Sequence, residues 1–148
     1  MKRLLSLTSL LLIVYTGSSS ADRASRDAYK KDIPPKIEET QNALKESCGC
    51  SVKIEIDKKE FVETSFNGAI NRIVSTLDSC QAAGKKYCSD EDEKKIFCKN
   101  ISKIKISNNK NALNLAEDQS ASVKGGLMQL YVAGSQYTSC DKPVSELE

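Results

Sequence analysis

The chain has 148 residues, 39% of them apolar, with six cysteines and neither histidine nor tryptophan. Without histidine, Ser-His-Asp and Cys-His catalysis and His-ligated zinc are excluded, and without tryptophan a sugar-stacking platform loses its best ring. The 22 basic and 20 acidic residues interleave along the sequence, which gives no basic block for nucleic acid and no basic amphipathic helix for a membrane surface.

Residues 1–21 read as a secretory signal peptide. Met1-Lys2-Arg3 is a basic start, and residues 4–15 form a mostly apolar stretch. That stretch falls short of the roughly 20 residues that span a bilayer. Ser19 and Ala21 are small residues at the −3 and −1 positions for cleavage. No cysteine stands at that point to carry a lipid, so the reading contains no stable membrane anchor. Once Lys2 and Arg3 leave with the signal, basic and acidic residues balance.

All six cysteines, Cys48, Cys50, Cys80, Cys88, Cys98 and Cys140, lie in the mature part. An even count behind a signal peptide implies an oxidising compartment, secreted or periplasmic, and a disulfide framework. Six cysteines allow 15 pairings. Cys80 and Cys88 flank Gly84 and are expected to pair across a turn there. Cys98 is expected near Cys48 or Cys50, and Cys140 takes the remaining thiol.

Residues 22–33 are polar and read as a flexible leader. A single globular domain over residues 34–140 follows, with 141–148 as a tail. Pro34-Pro35 fits the first turn of a helix over 34–48, with Asp32 as its cap. Ile37, Leu44 and Cys48 lie on one face, and Gly49 stops it. Residues 51–57 alternate Val52, Ile54 and Ile56 with Lys53, Glu55 and Asp57, the period of a half-buried strand. Phe66, Ile70, Ile73, Val74, Leu77 and Cys80 predict an amphipathic helix over 66–82, ended by Gly84. A third helix over 89–99 opens with Ser89 as cap and Asp92 at the third position, acids at its positive end and lysines towards its negative one. That acidic run has no EF-hand spacing and reads as helix chemistry rather than a cation site.

Three further strands follow at 101–106, 112–116 and 127–132. Asn108-Asn109-Lys110-Asn111 suits a hairpin between the first two, and Gly125-Gly126 a bend before the third. The order predicts an α+β, two-layer fold: a mostly antiparallel sheet of about four strands with the helices on one face.

Cys48-Gly49-Cys50 is the constellation nearest to chemistry, a candidate thiol–disulfide couple. Cys48 sits at a helix C-terminus, however, where a thiolate is disfavoured. The favoured reading is that each staples a different neighbour. A thiolate metal site is disfavoured because C-x-C with C-x7-C and C-x9-C fits no usual zinc pattern. Glu60 and Glu63 are candidates for a carboxylate-based hydrolase, without anything that selects them. Asn100-Ile101-Ser102 matches an N-glycosylation sequon, but the favoured reading is a chance triplet leading into a strand. The sequence therefore leads to a small disulfide-stabilised module that is most simply non-catalytic, needs no cofactor, and acts by binding, inhibition or as a structural part. Its candidate binding face is the polar side of the sheet, with Lys53, Glu55, Lys103, Lys105, Asn114, Gln129 and Tyr131, and the partner would be another protein.

Overall fold

The computed structural model describes residues 19–56, 60–61, 68–108, 120–132 and 137–147. The predicted strand at 112–116, with Leu113, Leu115 and Asn114, lies outside the described residues, as do Glu63, Phe66 and most of the signal segment. The elements are α1 (Ser19–Cys48), β1 (Lys53–Ile56), α2 (Ala69–Tyr87), α3 (Glu91–Asn100), β2 (Lys103–Asn108), β3 (Ala121–Lys124), β4 (Leu127–Val132) and α4 (Asp141–Ser145).

The fold is α+β, but the sheet is mixed rather than mostly antiparallel. Its order is β1-β2-β4-β3. β1 runs parallel to β2 and β2 parallel to β4, and only β3 and β4 are antiparallel. Side-chain alternation is the same in both strand directions, so it cannot report direction. The connection decides: α2 and α3 lie between β1 and β2 and return the chain to start β2 alongside β1, the crossover that parallel neighbours require. The register lines up Ile54, Ile104, Met128 and Val123 in one inner row and Ile56, Ile106, Leu130 and Ala121 in the next. These residues join Leu44, Ile73, Leu77 and Phe97 in a single core.

α1 corrects the flexible leader. Residues 22–33 are helical, and Tyr29, Ile33, Thr40, Leu44 and Cys48 are buried, with Ile37 packed at the margin. These six recur every three or four residues, so one apolar stripe continues upstream of the prolines and holds both halves against the core. Pro34 and Pro35 therefore stand inside the helix. Each lacks the N–H that would close a helical bond, a defect of about 3 kcal/mol in an isolated helix. Their exposed side keeps the rings off the stripe.

α2 is longer than predicted because Gly84 does not end it. This glycine is buried, and a Cβ built on it would stand 2.6 Å from Leu44 Cδ2 and 3.6 Å from Cys48 Sγ. It is there to let α1 and α2 approach, not to turn the chain. Gly84→Val is expected to destabilise the fold by about 1–3 kcal/mol through overpacking. A thermal unfolding midpoint unchanged from the wild type would show that the helices have room to part.

α3 starts one residue later than a Ser89 cap predicts. Asp90 is the cap, accepting from the Asp92 and Glu93 N–H groups at 2.9 and 2.8 Å. Ser89 instead donates its N–H and hydroxyl to Glu93 at 2.9 and 2.8 Å, closing the box from outside. Gly125 and Gly126, with φ of 58° and 82°, form the two-residue turn joining β3 to β4. Positive φ at both centres is the hairpin turn whose twist matches the strands, so the predicted bend is a hairpin and β3 its unpredicted arm. The tail after Tyr137 carries α4, which buries Pro143 and Val144.

Candidate functional site

The cysteines come together as Cys48–Cys88, Cys50–Cys98 and Cys80–Cys140. None is free. Cys98 meets Cys50, as one of the two expected choices, but the expected Cys80–Cys88 pair is wrong. With Gly84 inside a continuous helix, those two stand about 12 Å apart along α2 at 1.5 Å per residue. A bridge needs Cα atoms within about 7 Å. Cys88 closes on Cys48 at a Cα separation of 5.0 Å, and Cys80 reaches Cys140 at 4.8 Å. Cys48 and Cys50 thus staple different neighbours and do not form a couple with each other.

Of the predicted binding residues, Lys53, Glu55, Lys103, Lys105, Gln129 and Tyr131 share one side of the sheet, and Asn114 lies outside the described residues. On the outer side of the sheet the register places Lys53, Lys103, Leu127 and Lys124 in one row, and Glu55, Lys105, Gln129 and Ser122 in the next, with Ser107 beside Tyr131 beyond. Glu55 stands between two lysines, 2.8 Å from Lys53 Nζ and 2.6 Å from Lys103 Nζ. Hydrogen bonds from Lys103 and then Lys53 pull its pKa down to about 2. Its partner Lys53 is held above the ordinary lysine value, first by that same bond. Gln129 donates through Nε2 to the Lys105 carbonyl at 3.2 Å and to Ser107 Oγ at 3.1 Å. Tyr131 is 36% exposed, while its carbonyl accepts from the Thr138 hydroxyl. Lys124 was missed because β3 was missed; the Gly125-Gly126 doublet between strand-forming residues was the signal that could have found it. Leu127 opens a strand that was predicted and was left off the face because it is apolar.

A depressed carboxylate contributes stability above its unfolded value and loses it as pH falls through the folded one. The Glu55 contribution is therefore complete above about pH 4.5 and disappears towards about pH 2. Glu55→Gln is expected to remove that part of the acid dependence. The Glu55 carboxyl resonance followed by NMR should still be ionised at pH 3.5, and protonation near the ordinary value would mean the lysine bridges are absent in solution.

The other candidates that fall among the described residues are consumed structurally. Glu60 accepts the Asn108 backbone N–H at 2.9 Å, and its own carbonyl accepts from Asn108 Nδ2 at 3.1 Å, so it ties the end of β2. The sequon amide of Asn100 donates to the Ile96 carbonyl at 3.0 Å from the last turn of α3. A groove of about 450 Å³ lies between α1 and α2, with Lys36, Glu39, Pro35 and Ile70 in its walls. Lys36 is spoken for by Glu39 at 2.8 Å and Asp78 at 2.6 Å. Burial works against its charge, yet those hydrogen bonds hold the ammonium above its ordinary value. Among the described residues no three cysteines or carboxylates are placed to hold a metal ion, and no helix is long and apolar enough to cross a membrane. No protein-family model, curated protein or solved structure matches the chain.

Proposed function

We propose that this is a secreted or periplasmic binding module without turnover, and that the outer sheet face around Lys53, Glu55, Lys103, Lys105 and Tyr131 is where it meets its partner. The observation that carries the reading is the kind of sheet that bears this face. Antiparallel sheets commonly leave one side to water, whereas parallel strands are usually covered on both. Here three strands running the same way present lysine, glutamate and glutamine on the side away from the core. Three bridges that leave no thiol speak for a stapled scaffold rather than a redox enzyme.

The test is an insulin-reduction assay on the purified oxidised protein, beside a Cys48→Ser/Cys50→Ser variant. No turnover is expected from either. Wild-type activity that vanishes in the variant would replace the binding reading with thiol–disulfide exchange. Export is tested separately: the secreted protein should have the intact mass of a chain beginning at Asp22 with three disulfides. Met1 retained in a membrane fraction would contradict cleavage after Ala21.

A further inference from the structure

We propose that the outer sheet face takes an acidic polysaccharide, a sulfated or carboxylated chain laid across the strands; this rests on the binding reading above. The charge that looks evenly spread along the sequence is not evenly spread in space. Among the described residues, Lys53, Lys103 and Lys124 share one row and Lys105 stands in the next, against the one carboxylate of Glu55. The row crosses four strands, about 14 Å at the usual strand spacing. Neighbouring charges at that spacing fall within about a Debye length of each other at physiological salt and act as one field. The chain after Ala21 has as many acids as bases, so the excess on the described part of this face is balanced elsewhere on the protein.

The side chains also discriminate between kinds of anion. No arginine stands on the described part of the face, so the rigid fork that reads one carboxylate or phosphate bidentately is missing. Lysines are mobile point charges, suited to a repeating polyanion whose charges need no fixed geometry. A protein partner would want an apolar, aromatic centre with lysine depleted, and here Tyr131 and Leu127 are separated by Gln129 on the same strand. Attraction through lysines needs no indole platform, so the absence of tryptophan does not count against it.

The experiment measures binding of the full oxidised secreted protein to immobilised heparin at low ionic strength, with dextran, poly-glutamate and single-stranded DNA as comparisons. Binding to heparin is expected to fade with added salt, and dextran should not bind. Lys105→Gln/Lys124→Gln should weaken heparin binding about tenfold, the size of two lost charge contacts. Lys30→Gln/Lys45→Gln, an equal change of net charge on the exposed side of α1, should leave it within about twofold on the same scale. If the first pair lowers the unfolding midpoint, Lys53→Gln/Lys124→Gln takes its place. No heparin binding, equal loss in both pairs, or tighter binding to poly-glutamate or DNA would each overturn the proposal. Insulin turnover would instead overturn the binding reading beneath it, so the two failures are distinct.

Discussion

Ile54→Asp should yield no folded secreted protein, whereas Lys53→Asp, one residue away, should be recovered at close to the wild-type level. Ile54 is 7% exposed and sits in the inner row with Ile104, Met128 and Val123. The aspartate would remove a branched side chain from a packed site, at about 2–5 kcal/mol by truncation alone. It would also place a carboxylate with no partner in that row, a further cost of several kcal/mol unless it takes up a proton. Together these approach the roughly 5–15 kcal/mol that holds a whole domain. Lys53 has its side chain 71% exposed, and its bridge to Glu55 is the kind of surface pair that adds little. Yield of oxidised protein and the thermal midpoint are the measurements. Equal tolerance of both substitutions would mean that the strand presents its other face to the core.

The second large effect is expected from Cys80→Ser/Cys140→Ser. The bridge closes a sequence separation of 60 residues, and restricting a loop of that size in the unfolded chain is worth about 4 kcal/mol. It also clamps the last segment onto α2. There the Thr138 N–H donates to Thr76 Oγ1 at 3.2 Å and the Cys140 N–H to Ser79 Oγ at 3.1 Å, with Lys86 bridging Asp141 at 2.9 Å. Urea unfolding of the double variant, its other two bridges intact, should show a loss of about 2–4 kcal/mol. A loss below about 1 kcal/mol would mean that these hydrogen bonds alone hold the segment.

What could be read in advance follows from what alternation and spacing encode. The inner faces of β1, β2 and β4 were legible because Ile54, Ile104 and Met128 each sit in a strict every-second-residue pattern. So was the outer face, as its complement. Strand order and direction were not, since both depend on connections that leave the alternation untouched. The Gly84 judgement failed and the Gly125-Gly126 bend was read incompletely, for one reason. Gly84 and Gly125-Gly126 were read as local punctuation, but the first answers to Leu44 on another helix and the second to the pairing of β3 with β4. The same error at Gly84 produced the wrong Cys80–Cys88 pair. Pro34 and Pro35 misplaced the start of α1 because their local cost was given more weight than Tyr29 and Ile33, which lie buried upstream.

The position of Cys50–Cys98 has a consequence for how the chain finds this fold. β1 and β2 are parallel neighbours separated by two whole helices, the sort of distant pairing that slows a search. Cys50 lies three residues before Lys53, and Cys98 five residues before Lys103, the two residues that open the paired register. Once that bond exists, the path between the strand starts no longer runs through α2 and α3 but through the cross-link. A non-local pairing becomes a local one, and the loop-closure entropy has been met covalently before the sheet begins to form. Oxidation at this pair therefore acts on the rate of folding as well as on the stability of the result. Chains unfolded with their bridges intact should refold much faster than reduced ones, which must first find Cys98 for Cys50.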